Sequence, residues 1–277
     1  MSDYSGGGKT GRVAPRYLLA SSAALFLVSY FAGRFAGVPG AWVGSYICTL
    51  LIAFPSFAAL WRYAGPRRAV FSLGALGAFG FAIETTGTVT GFPYGEFYYG
   101  ESLGPKLFGR VPYILPVSYT PLVIGAVAAC APARPPASRA RALAWAALSA
   151  LVLTLLDGVL DPGAAALGFW MWPDGGAYYG VPASNYAGWL LSGAMACGLL
   201  VALGRWRGPP PGEMLDSALL ALAFWCGVAV FQGLWIPALL GVALYGALLA
   251  RRRATQRGRE ASGSGINSVR SSERRLL

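Results

Sequence analysis

Apolar runs of roughly 17–25 residues, the length an α-helix needs to cross the hydrocarbon core of a bilayer, recur along most of this chain. Eight can be marked, near Tyr17–Gly37, Ala41–Trp61, Ala69–Thr90, Val111–Ala131, Ala142–Leu160, Tyr186–Gly204, Leu215–Leu234 and Trp235–Ala250. Of the 277 residues 56% are hydrophobic and 12% charged, whereas about a quarter of a soluble domain is charged. A water-soluble fold could not hide so much apolar surface. The expected fold class is therefore all-α, a polytopic transmembrane helix bundle of eight spans. Seven remain open, because the last two runs abut at Gly233–Pro237 and could form one bent helix. The predicted layout is a cytoplasmic tail over residues 1–16, a transmembrane domain over 17–250 and a basic, disordered cytoplasmic tail over 251–277.

The net charge of +11 invites a nucleic-acid reading, but the placement of the charges argues for a bilayer. With eight spans and the N-terminus inside, nineteen of the 22 Lys and Arg residues fall on one side: the N-terminal tail, the Arg62–Arg68 and Arg134–Arg141 connections, Arg205, Arg207 and the C-terminal tail. Only Arg34, Lys106 and Arg110 fall on the other. This positive-inside bias puts both termini in the cytoplasm of a multi-pass cell-membrane protein, with the basic tail touching anionic lipid. The first run has no small-residue cleavage site after it and is read as a retained span. The four cysteines, Cys48, Cys130, Cys197 and Cys226, lie inside apolar runs without metal-site spacing and read as packing residues.

The outer side carries the two long connections, residues 91–110 and 162–185, and they share an order of elements. Glu84 is followed seven residues later by Gly91-Phe92, then by Tyr98-Tyr99-Gly100 and Val111-Pro112. Asp161 is followed seven residues later by Gly168-Phe169, then by Tyr178-Tyr179-Gly180 and Val181-Pro182. The shared order amounts to a weak internal repeat, in which each half supplies a helix ending in a carboxylate and an aromatic loop that folds back. Interfacial belts alone gather aromatic rings, yet the density of Phe92, Tyr94, Phe97, Tyr98 and Tyr99 in one loop, with Phe169, Trp170, Trp172, Tyr178 and Tyr179 in the other, suits a pocket wall equally well.

Glu84 and Asp157 sit inside apolar stretches and Asp161 ends one, where charge is expensive, so they are functional-site candidates. Asp157 and Asp161 are four apart and share a helix face if the helix persists to Pro162. Two close carboxylates in a dry site do not both ionise easily, which places a proton donor beside an anion. The competing reading makes Asp161 the N-cap of a short helix begun by Pro162, and lets a neighbouring helix satisfy Asp157. The chain has no histidine, so general acid–base work falls to Asp, Glu or Tyr. Lysine occurs only at positions 9 and 106, which removes a helix-borne retinal Schiff base.

The ordered set Glu84-x-x-Gly87-x-x-Thr90-Gly91, Tyr94-Gly95, Tyr98-Tyr99, Leu103-Gly104-Pro105, Val111-Pro112, Asp157-x-x-x-Asp161-Pro162, Trp170-x-Trp172 and Tyr178-Tyr179-Gly180-Val181-Pro182-x-x-Asn185-x-x-Gly188-Trp189 resembles the membrane carotenoid hydratase family. The likeness covers residues 69–189. It implies a hydro-lyase that adds water to a terminal isoprenoid double bond of an acyclic or monocyclic carotenoid, the 1′,2′ bond, giving a tertiary alcohol without cofactor or metal. It also implies a carotenoid, water and the bilayer as partners, no nucleic acid, and association with other carotenoid-pathway enzymes. On this reading Asp161, Asp157 and Glu84 are catalytic. Trp170, Trp172, Tyr98, Tyr99, Tyr178 and Tyr179 bind substrate, with Asn185, Trp189, Phe92 and Tyr94. Other classes stay open: a transporter or flippase of an apolar or proton-coupled solute, an intramembrane prenyltransferase or carotenoid cyclase, and a non-catalytic assembly subunit.

The charge bias makes a direct prediction. Reporter fusions after Ala250 and within Arg134–Arg141 are expected to read as cytoplasmic, and one within Pro173–Tyr178 as external. An external C-terminus would contradict the eight-span topology.

Overall fold

The computed structural model describes residues 14–204 and 206–273. Most of the N-terminal tail, with Lys9 and Arg12, lies outside the described residues, as do Arg205 and residues 274–277. Among the described residues there are eight α-helices: α1 (Ala14–Phe35), α2 (Ala41–Ala64), α3 (Pro66–Thr90), α4 (Leu115–Ala129), α5 (Arg139–Ala166), α6 (Ala183–Leu203), α7 (Asp216–Phe231) and α8 (Trp235–Glu273). Six helical segments are long and apolar enough to cross a membrane, those of α1, α2, α3, α5 and α6 together with Gly212–Phe231, while α4 is a shorter apolar helix. The bundle of apolar helices is the architecture expected of an integral membrane protein.

Glycine and proline set the boundaries. Gly65 adopts a positive φ of 83° between α2 and α3, and Pro66 then opens α3 at a position where its missing N–H is no loss. Gly91 closes α3 in the left-handed region, its N–H returning to the Gly87 carbonyl at 2.8 Å. Ser138 caps α5 by accepting the Arg141 N–H at 3.3 Å.

Two expected boundaries move, and two readings that the sequence left open are resolved. Pro162 does not begin a new helix but sits inside α5, which continues to Ala166, so Asp161 is not an N-cap. Proline cannot donate to the carbonyl four residues earlier, and the Tyr178 hydroxyl donates to that Gly158 carbonyl instead, at 3.2 Å. Residues 111–114 are not helical: Val111–Pro112 form strand β3, paired with β2 (Lys106–Leu107), and α4 starts only at Leu115. The last two apolar runs form separate helices packed on each other, joined by a turn at residues 232–234 that holds Gly233 at a φ of 71°. Finally, α8 stays helical to Glu273, where the composition of residues 251–277 had indicated a disordered tail. The start of that extension is anchored: the Arg252 guanidinium is buried, pairs with both carboxylate oxygens of Asp216 and donates to Gln256 at 3.0 Å.

The main core lies where α4, α5, α6 and α7 meet, around Val123, Ile124, Leu153, Leu156, Leu200 and Leu219. A second cluster lies under the two motif loops. Those loops grip each other through antiparallel strands β1 (Tyr98–Tyr99) and β4 (Trp170–Met171), with Tyr98 opposite Met171 and Tyr99 opposite Trp170. Gly100 is required at this joint, because a Cβ there would lie 2.1 Å from the Gly168 carbonyl oxygen.

Candidate active site

Beneath the joined loops α5 presents Asp157 and Asp161 on one face, as spacing by four dictates. From α6, Asn185 reaches both: its amide donates to Asp157 Oδ2 at 3.3 Å and to Asp161 Oδ2. Trp170, in β4, donates its indole N–H to Asp161 Oδ1 at 2.9 Å. Both aspartates and Asn185 are only 2% exposed, so water does not screen them. The ion pairs of the described residues, Lys106–Glu101 and Arg252–Asp216, involve none of the three. One oxygen of the cluster, Asp157 Oδ1, is buried without a protein partner.

Glu84 enters the same cavity from α3 and accepts the Tyr99 hydroxyl at 2.8 Å. Burial first, and then the Glu84 carboxylate, push the Tyr99 phenol well above the ordinary tyrosine range, so it stays a neutral donor. Strand alternation turns Tyr99 inward and leaves Tyr98 half exposed. Tyr94 plugs the gap between α3 and α6, its hydroxyl donating to Ser192 at 3.0 Å. Two glycines make room for it. A Cβ on Gly87 would come within 2.9 Å of the Tyr94 ring and one on Gly188 within 2.6 Å. Each stands three residues after a polar site residue, Glu84 and Asn185, and so on the same helix face.

The cavity has a volume of about 440 Å³. Its floor is the carboxylates and its walls are aromatic, with Tyr99 and Trp170 at 6.0 Å edge to face, Phe97 and Trp172 at 6.3 Å, and Tyr94 and Trp189 at 6.3 Å. Of the residues singled out in the sequence, Glu84, Asp157, Asp161, Tyr94, Tyr99, Trp170, Trp172, Asn185 and Trp189 all line it. Phe92, Tyr98, Tyr178 and Tyr179 do not. Phe92 and Tyr98 are solvent- or lipid-facing, Tyr178 serves the Gly158 carbonyl, and the Tyr179 hydroxyl accepts the Ile236 N–H at 3.4 Å. The two Tyr-Tyr pairs matched in sequence are thus not equivalent in space. Tyr119 and Trp225 also line the cavity. Neither lies in one of the motifs, and Trp225 stands in a uniformly apolar run.

Such a bundle, with a buried acid cluster under aromatic loops, defines an α-helical membrane protein. A family model described as carotenoid biosynthesis protein matches residues 40–248, and the chain belongs to that family. The bisanhydrobacterioruberin hydratase of Haloarcula japonica is 43% identical over 191 residues, a stretch covering 64% of this chain and 63% of that protein. The chain therefore spans just under two thirds of that relative's length. No solved structure matches it.

The Tyr99–Glu84 bond is open to test. Tyr99→Phe strips a buried carboxylate of its donor and is expected to destabilise the protein by roughly 1–3 kcal/mol, seen as a lower midpoint in thermal unfolding of the detergent-solubilised chain. Tyr98→Phe, one residue away on the outer face, is expected to leave the midpoint unchanged. Equal effects would contradict the inward orientation of Tyr99.

Proposed function

We propose that the chain is a carotenoid hydratase, adding water across a terminal isoprenoid double bond of an acyclic or monocyclic carotenoid. The observation that carries this reading is the unequal pairing of the two aspartates inside an aromatic cavity. Asp161 receives two N–H donors and is the member suited to hold negative charge. Asp157 receives one long contact and leaves its buried Oδ1 without a protein partner, which suits the member that carries the shared proton. The identity to a hydratase and the family membership support the same chemistry.

In this mechanism Asp157 gives its proton to the less substituted alkene carbon, and the π electrons form the new C–H bond. Positive charge develops on the more substituted carbon. The faces of Trp170, Trp172 and Tyr99 stabilise it, each by about 1–2 kcal/mol when desolvated, and the Glu84 and Asp161 carboxylates add a fixed field of the right sign. Water held against Asp161 attacks that carbon and passes a proton to Asp161 as the tertiary alcohol forms. The proton then returns from Asp161 to Asp157, its neighbour one helical turn away, and the site is reset. Carbon, proton and water balance with the carboxyl pair alone. Membrane embedding suits the substrate, since a polyene dissolves in the bilayer rather than in water.

Asp157→Asn and Asp161→Asn preserve size and hydrogen bonding while removing the titrating group. Each is expected to cut turnover at least about a hundredfold when the full chain acts on lycopene or γ-carotene and the pigment is weighed for the gain of one water. Wild-type product from both variants would end this mechanism, and wild-type chain that yields no hydrated pigment would end the assignment.

A further inference from the structure

The cavity does not stop at the acids. It continues outward between α1 and α2, where each helix turns a stripe into it at helical spacing. From α1 the stripe is Val28, Phe31, Ala32 and Phe35, and from α2 it is Gly44, Ser45, Cys48 and Ile52. Two helices joined by so short a connection would ordinarily bury such stripes against each other. Here α1 packs on α7 through a different face, where Ser29 sits against Gly227 and Phe26 against Phe231, while α2 packs on α3, α4 and α7. The inner positions Ala32, Ser45 and Cys48 are half-buried, whereas Phe31 and Phe35 are about half exposed at 55% and 50%. Their rings lie parallel, 2° apart in tilt with centroids 6.2 Å apart, forming a flat apolar strip at the mouth.

We propose that the cleft between α1 and α2 is a lateral portal through which the isoprenoid end of the substrate passes from the bilayer to the acid cluster, the rest of the polyene staying in the cleft and the lipid beyond it. This rests on the hydratase reading for the identity of the occupant and extends it to how that occupant is selected and held. Three observations converge. The loop end of the cavity is covered by the paired strands β1 and β4 with their aromatic side chains, whereas the cleft opens between two helices long and apolar enough to cross a membrane. The inner end holds an unpartnered, buried polar atom, Asp157 Oδ1, with the Trp172 indole N–H also lacking a partner. The cavity of about 440 Å³ cannot enclose a polyene whose length is on the order of the ~30 Å hydrocarbon core. The cleft therefore gauges the part of the substrate adjoining the reacting end group: a straight, unsaturated chain passes between Gly44 and Phe31, and a bulky ring close to the reacting bond does not.

Gly44 allows a clean test, because a Cβ there meets nothing within 4 Å and the helix tolerates a side chain. Gly74 on α3 is equally unobstructed and does not line the cavity. Full-length Gly44→Trp and Gly74→Trp, with Ala32→Phe as a second narrowing variant, are compared with wild type in lipid nanodiscs. Lycopene binding is followed by quenching of tryptophan fluorescence, and lycopene hydration by product mass. Gly44→Trp and Ala32→Phe are expected to weaken lycopene binding about tenfold or more and to raise KM in proportion. Gly74→Trp is expected to match wild type, and a two-isoprene-unit analogue of the end group, short enough to fit inside the cavity, to bind Gly44→Trp as it binds wild type. Unchanged lycopene binding in both narrowing variants, or equal loss of the short analogue, would overturn the portal. Loss of lycopene binding at Gly44 in a protein that hydrates nothing would keep the portal and refute the hydratase reading instead.

Discussion

The site depends on one carboxamide held against two carboxylates. Asn185 stands on α6 and the aspartates stand on α5, so its two N–H bonds cross-link the helices where all three side chains are only 2% exposed and the ion pairs of the described residues do not reach. Leaving a buried carboxylate without donors costs several kcal/mol, so the helices and the tryptophan loop are set together. Trp170 completes the shell of Asp161, and because it lies in β4 its position fixes that of β1 and of Tyr99. From Tyr99 the chain of dependence reaches Glu84 on α3. Three helices and two loops are thus aligned by six polar side chains, and the remaining walls need only be apolar and well packed.

Glycine has a specific part in this arrangement. Gly87 and Gly188 lie one turn beyond Glu84 and Asn185 and leave the space into which Tyr94 inserts, so the lid sits directly on the polar floor. Gly100 does the same for the strand joint, while Gly168 beside it supplies a positive φ of 65°. The resulting chamber is largely apolar and rich in ring faces, conditions under which a carbocation gains the most from aromatic contact.

The all-helical fold, most helix positions and the three acids were legible in the sequence because each rests on a local rule: apolar run length, glycine and proline at the ends, charge in an apolar stretch. Spacing by four placed Asp157 and Asp161 on one face, and the structure shows the helix persisting through Pro162 as that required. What escaped was decided by tertiary partners. The N-cap alternative for Asp161 failed because Tyr178 takes over the carbonyl that Pro162 leaves unpaired, a contact across 20 positions. Tyr98 and Tyr99 look alike in sequence, yet pairing with β4 turns one outward and the other onto Glu84. The repeat in sequence suggested that Tyr178 and Tyr179 would mirror them, but Tyr178 serves a carbonyl inside α5 and Tyr179 the first turn of α8. Tyr119, Trp225 and the α1 and α2 stripes carry no local mark, since an apolar residue facing a cavity and one facing lipid obey the same composition.

At the centre of the account a buried carboxyl proton is transferred to carbon. Running the wild-type reaction in deuterated water and locating the label in the product tests this directly, because the acid exchanges with solvent before each turnover. One carbon-bound deuterium on the carbon next to the new tertiary alcohol is the expected result. A hydroxylated product with no deuterium at that carbon would mean that oxygen arrived without protonation of the alkene, and would contradict the account.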